Sequence, residues 1–258
     1  MLMFVDSHCH LNFHELSDNL DEVLGNMHNS EVSHALCVGV TLEAFPEILD
    51  LAEHHPHIYA SVGVHPDHQE GEEPTQARLV ELARHPSVVA IGETGLDYYR
   101  LEGDLEWQRE RFRIHIRAAR ESGKPLIIHT REAAQDTLRI MAEEGAAQIG
   151  GVMHCFTESL EVAEAAMAMN FHISLSGIVT FKKAVQVKEV ASRIPLERML
   201  IETDSPYLAP VPFRGKLNQP AYVKYVAEEI AALRGISVEQ VAEATTANFH
   251  RLFNTATC

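Results

Sequence analysis

The chain has 258 residues, 46% of them hydrophobic, and a formal net charge of −16 with histidine neutral. That is enough apolar material for one large core, and α/β barrels of this length are commonly one domain. The acidic balance argues against a passive nucleic-acid binder with a broad basic face, and no apolar run reaches the roughly 18 residues needed to span a bilayer.

The N-terminus lacks a basic segment ahead of an apolar stretch and a small-residue cleavage site, so no secretory leader is expected. Cys9, Cys37, Cys155 and Cys258 are scattered and read as free thiols in a reducing cytoplasm. Short apolar runs alternate with amphipathic stretches from end to end. The runs at 2–6, 35–40, 58–62, 88–91, 126–128, 151–153, 171–175 and 199–201 predict strands. Helix-like segments lie at 42–54, 76–85, 105–122, 131–144, 160–170 and 185–193, with closing helices at 222–233 and 238–250. In 105–122, Phe112, Ile116 and Ala119 fall at helical spacing with arginines on other faces. Alternating strands and helices imply parallel β/α units, and eight of them predict an α/β fold, a (β/α)8 TIM barrel forming one domain over 1–258. The Pro- and Gly-rich stretch 205–220 follows the last strand, where a barrel places an active-site loop.

Polar residues recur where these strands end. His8 and His10 follow the first run, and residues i and i+2 of a strand share a side. Glu93 follows strand four, His129 strand five, His154 strand six and Asp204 strand eight. Four imidazoles and two carboxylates thus converge on the barrel face that carries catalysis in this fold. The donors are mixed N and O, without the thiolates of a closed structural zinc site. Strand alternation turns Cys9 and Cys155 away from this side, as packing residues. Two divalent ions among these ligands would leave the site near about +2, which suits a phosphodiester clamped on both its attacking and leaving sides.

The segment Phe4-Val5-Asp6-Ser7-His8-Cys9-His10-Leu11-Asn12 resembles the N-terminal signature of the TatD family of metal-dependent deoxyribonucleases. Gly63-Val64-His65-Pro66, Gly92-Glu93-Thr94-Gly95-Leu96-Asp97-Tyr98, Ile128-His129-Thr130-Arg131 and His154-Cys155-Phe156 resemble its internal motifs, and 194–206 its C-terminal signature. The resemblance covers almost the whole chain and implies an amidohydrolase-like barrel with two divalent ions (Mg, Mn, Zn or Ni). It places His8, His10, Glu93 and Asp204 around one ion and Glu93, His129 and His154 around the other. Glu93 bridges them, where many relatives in the wider superfamily use a carboxylated lysine. Known members include magnesium-dependent DNases, some with 3′–5′ exonuclease action. The leading expectation for this chain is a metal-dependent phosphodiesterase that acts on DNA, at ends or in single strands, by metal-activated water. Where the family often carries Asn-Glu-Pro, this chain reads Asn218-Gln219-Pro220, which bears on substrate choice or loop support.

Asp204, beside the first ion, is the expected proton acceptor. His65, after a strand and before the stiffening Pro66, is a candidate to contact phosphate or leaving group. Arg131 is placed either to meet a phosphate or to stand exposed at a helix start. Glu202 either points away from Asp204 or supports a ligand. Lys182, Lys183, Arg214 and Lys216 form the best local basic patch, and Tyr98 and Tyr99 either stack on a base or pack. Trp107 and Phe112 read as anchors of a helix. Among the remaining histidines, His14, His28, His34, His68, His115, His172 and His250 show no partner pattern. Two other functions fit the same ligands: hydrolysis of a small amide, ester or lactone, and metal-stabilised binding without turnover.

Overall fold

Eight parallel strands follow one another in sequence order: β1 (Phe4–Cys9), β2 (Val32–Cys37), β3 (Ile58–Val62), β4 (Val88–Asp97), β5 (Leu126–Arg131), β6 (Gly151–Met153), β7 (Phe171–Leu175) and β8 (Met199–Ile201). The computed structural model describes residues 3–99 and 101–255, so Cys258 and the Leu2 start of the predicted first strand lie outside it. Beyond the strand ends, His10 N donates to Ser205 O at 2.9 Å and Asp204 N to His8 O at 2.9 Å, bringing β1 and β8 together. Helices alternate with the strands, as the predicted (β/α)8 barrel requires. Among the described residues no helix is long and apolar enough to cross a membrane.

The apolar-run rule ends three strands too early. β1 continues from Asp6 to Cys9, β4 from Ile91 to Asp97, and β5 from Ile128 to Arg131. Most of the added residues are polar or glycine, Leu96 and Cys9 excepted, yet the backbones of β4 and β5 still pair: Thr94 with Ile128, Gly95 with His129, Asp97 with Arg131. β2 instead starts earlier, at Val32: Ser33 falls at a register shift, and His34 rejoins the ladder opposite Val5. At Gly95 (φ +134°) an added Cβ would meet the His129 carbonyl oxygen at 2.0 Å, so only glycine lets β4 lie this close to β5. That contact draws Glu93 toward His129.

The barrel lumen is filled by Val5, Leu36, Val38, Val89, Ile127, Val152 and Leu200. Phe249 and Phe253 of the last helix, Val238–Phe253, pack against them. Asn248 of that helix donates to Met199 O at 2.8 Å, and Thr246 Oγ1 to Met3 O at 3.1 Å, which seats it under the strand starts. Ser237 and Gln240 cap it reciprocally, a Ser-x-x-Gln pattern readable in the sequence. With that end plugged, the polar strand ends at the opposite mouth face solvent through their loops.

Candidate active site

Glu93 is 3% exposed and sits at the middle of a ring of imidazoles. Its Oε2 lies 3.3 Å from His8 Nε2, and its Oε1 lies 2.7 Å from His154 Nε2, 3.1 Å from His129 Nδ1 and 3.4 Å from His65 Nε2. Asp204 Oδ1 stands 3.6 Å from His8 Nε2 and 3.5 Å from His10 Nε2. Each predicted ligand is therefore in the cluster, and the two carboxylates share His8. His65 joins Glu93 and His129 in one of the groups able to hold an ion, and His8, His10 and Asp204 form another.

The outward nitrogens of these rings are held. His10 Nδ1 is 3.2 Å from Val38 O, His129 Nε2 is 3.0 Å from Asp97 Oδ2, and His154 Nδ1 is 3.3 Å from Glu202 Oε1. His65 Nδ1 pairs with Asp67. Holding one nitrogen fixes tautomer and ring orientation and turns the other lone pair inward, the arrangement found around metal-ligating histidines. His8 is fully buried with both ring nitrogens lacking an aligned hydrogen bond. A buried nitrogen facing two carboxylates and bonded to neither suits a cation between them, and the N/O donor set suits divalent ions.

Electrostatics follow from this crowding. Burial works to raise the Glu93 carboxyl, but His154 and His65 overcome it and hold Glu93 well below the usual carboxylate range. Burial likewise opposes the charge on His65, and Glu93 and Asp67 override it, lifting His65 to about 10. Burial lowers His8, with His154 stacked on it at 4.0 Å adding to the effect.

Glu202 takes the supporting role: beyond His154, its Oε1 accepts from Cys155 N at 2.7 Å. Two carboxylates that sequence reasoning passed over, Asp97 and Asp67, hold His129 and His65. Asp97 lies in a recognisable motif, but its separation from His129 by 32 positions hides the pair.

Four expectations change. Arg131 ends β5 rather than starting a helix, and its guanidinium lies 3.7 Å over the Tyr99 ring. Arg111 is not on an outer face: it is 4% exposed, because its donors go to His65 O, His68 O and Glu73. Cys155 lies past the end of β6 in a left-handed turn (φ +43°), with Sγ 3.2 Å from Ser176 Oγ, so strand alternation does not set its direction. Cys9 is buried as expected. His115 does have partners: Nε2 accepts from Val64 N at 3.1 Å and Nδ1 lies 2.8 Å from Arg111 O.

Together with Gln108, which bonds Pro66 O and both N and O of Asp97, these residues form a buried polar stripe on the helix Glu106–Ser122. The stripe ties the His65 loop to the end of β4. Its spacing (108, 111, 115) matches the apolar face, which is the signal that could have found it. Trp107 packs beneath Arg111, whose guanidinium carbon is 4.8 Å from the ring centre, and Phe112 is in the core. Asn218 braces the last loop by donating to Thr203 O and Tyr207 O. Gln219 Oε1 accepts from Asn26 Nδ2 at 2.9 Å, so the amide in place of a glutamate still ties the loop down.

Residues 5–254 match the family model described as TatD related DNase. An uncharacterized metal-dependent hydrolase, YcfH of Escherichia coli K12, is 46% identical over 98% of this chain and 96% of its own length. The protein named 3′-5′ ssDNA/RNA exonuclease TatD of Escherichia fergusonii is 32% identical over 93% of this chain and 94% of its own. The crystal structure of YJJV, a TatD homolog from Escherichia coli K12, superimposes with a TM-score of 0.92 at 28% identity, covering 99% of this chain and 100% of that one.

Proposed function

The chain belongs to the TatD-related DNase family, whose relatives are metal-dependent hydrolases, and from that premise we propose that it cleaves phosphodiester bonds in DNA at ends or in single strands. The observation that carries this reading is the two-sided Glu93 carboxylate, with Oε2 toward His8 and Oε1 toward His65, His129 and His154. In this reading His8, His10, Asp204 and Glu93 hold one divalent ion, and Glu93, His129 and His154 a second. Ions held there would polarise phosphoryl oxygens and lower the pKa of a bound water.

The chain's own residues have separable tasks. Asp204, whose side chain is 16% exposed, reaches the mouth; burial works to raise its carboxyl, and His10 and His8 hold it ionised. It is the proton acceptor. His65, 19% exposed and held through Nδ1 by Asp67, stands beside Glu93 at the mouth, where it meets the leaving oxygen. Asp97 and Glu202 orient His129 and His154. The Escherichia fergusonii relative, named as an exonuclease on single strands, favours nucleic acid over a small amide, ester or lactone. Six converging metal-type ligands at an open mouth favour turnover over a binding role without it.

The test incubates the metal-loaded protein with an end-labelled single-stranded DNA, its RNA counterpart and a panel of small esters, amides and lactones, with and without chelator. Metal-dependent shortening of the DNA is expected. Turnover of a lactone or amide with the strand left intact would overturn the reading.

A further inference from the structure

Among the Phe, Tyr and Trp side chains of the described residues, Tyr99 (52%) and Tyr207 (53%) are the two more than half exposed. Both are fastened to carboxylate residues of the site. Tyr99 N donates to Asp97 Oδ1 at 2.9 Å, and Tyr207 N donates to Asp204 O at 3.1 Å. Asp97 ends β4, and Asp204 follows β8 where it meets β1. In a barrel whose eight strands run in sequence order, β4 and β8 lie across the mouth from one another. The two rings therefore stand on opposite rims, with the Glu93 cluster between them.

Each ring is braced from behind. The Arg131 guanidinium covers one face of Tyr99 at 3.7 Å. Phe13 meets Tyr207 edge-on, with centroids 6.3 Å apart at 70°, and Phe13 is itself stacked on His10 at 4.7 Å. Tyr207 O also accepts from Asn218 Nδ2. The neighbouring Tyr98 is different: its hydroxyl lies 2.8 Å from Asp136 Oδ2 and 3.0 Å from Arg109 Nη1, so it is a packing residue. A tyrosine held rigid and left open to water at a site mouth offers a flat apolar surface at low entropic cost.

We propose that Tyr99 and Tyr207 are stacking platforms for the two bases that flank the scissile linkage of a single strand, one on each side of it. This rests on the nuclease reading and deepens it. Every base has a π-face, so such platforms tolerate sequence but require unpaired bases. They also place Arg131, a cation in an otherwise acidic chain, beside one of the two nucleotides.

The test compares kcat/KM on a single-stranded hexanucleotide with kcat/KM on bis(p-nitrophenyl) phosphate, which has no bases to stack. Tyr99→Ala and Tyr207→Ala should each lower the hexanucleotide-to-diester ratio roughly tenfold or more, the order of one lost base stack. Tyr99→Phe and Tyr207→Phe should restore it. A single abasic position on one side of the cleaved linkage should abolish the penalty of one alanine variant and leave that of the other. A wild-type protein that cleaves both substrates, with the ratio unchanged in both alanine variants or insensitive to the abasic position, overturns the platforms alone. A wild-type protein that turns over the small diester and leaves the hexanucleotide intact overturns the nucleic-acid reading and the platforms with it.

Discussion

Asp97 Oδ2 lies 3.0 Å from Nε2 of His129, while Nδ1 of the same ring faces Glu93 Oε1 at 3.1 Å. The carboxylate accepts a hydrogen bond from Nε2–H and leaves the inward nitrogen a free lone pair. Asp97→Asn removes the charged acceptor that fixes the ring's tautomer and orientation, so metal affinity or activity should fall about 10–100-fold. Glu202→Gln should act alike through His154. Metal titration followed by calorimetry reads the effect, and unchanged affinity in both variants would remove the orienting role.

Glu93→Gln should bring activity to background while the barrel still folds. Glu93 is the carboxylate with both oxygens inside the cluster, and an amide cannot carry its charge to four imidazoles. Elemental analysis should find less than the wild-type metal content. An active variant with full metal content would end the bridging assignment.

The cluster was legible in the sequence because strand ends repeat one another: His8, Glu93, His129, His154 and Asp204 each follow an apolar run that periodicity marks as a strand. The barrel was legible for the same reason. The ends of β4 and β5 were not, because Gly92–Asp97 and His129–Arg131 contain few apolar residues and pair only through their backbones. Asp67, Asp97 and His115 were hidden differently. Asp67 is two positions from His65 but lies in a loop whose turn no periodicity predicts, Asp97 meets His129 only because β4 and β5 pair beyond their apolar runs, and His115 meets Val64 because its helix crosses the end of β3. Arg111 went to the wrong face because a charged residue is ordinarily solvated. Here three acceptors (two carbonyls and Glu73) satisfy the guanidinium inside the protein.

His115 makes stability depend on pH. It is fully buried and neutral, and burial lowers its pKa to about 4 against 6.5 in the unfolded chain. The unfolded state thus takes up a proton first as pH falls. The contribution is complete above 6.5 and is lost as pH drops toward 4, amounting to about 3 kcal/mol at most. His115→Gln removes the titration but keeps a polar side chain. The wild-type advantage over this variant in urea unfolding should shrink between pH 7 and pH 4.5. A gap independent of pH would show that His115 is not held neutral.

Binding of nucleic acid by so acidic a chain should depend more on divalent ions than on counterion release. With a net charge of −16, long-range attraction is unfavourable, and the nearby cations are few. Lys182, Lys183, Arg214 and Lys216 are exposed in the loops after β7 and β8, and Arg214 already lies over Phe181 at 4.3 Å. With Arg131 beside Tyr99, five contacts at most give a slope of log affinity against log monovalent salt no steeper than about −3.5 for a single strand. Neutralising all four should flatten that slope further and cost little affinity, whereas chelating the divalent ions should abolish most of the binding. The measurement is fluorescence anisotropy of a short phosphorothioate-linked strand, chosen to slow cleavage, across a salt series with and without divalent metal. Tight binding that survives chelation and falls steeply with salt would mean that basic residues, rather than the Glu93 centre, draw the strand in.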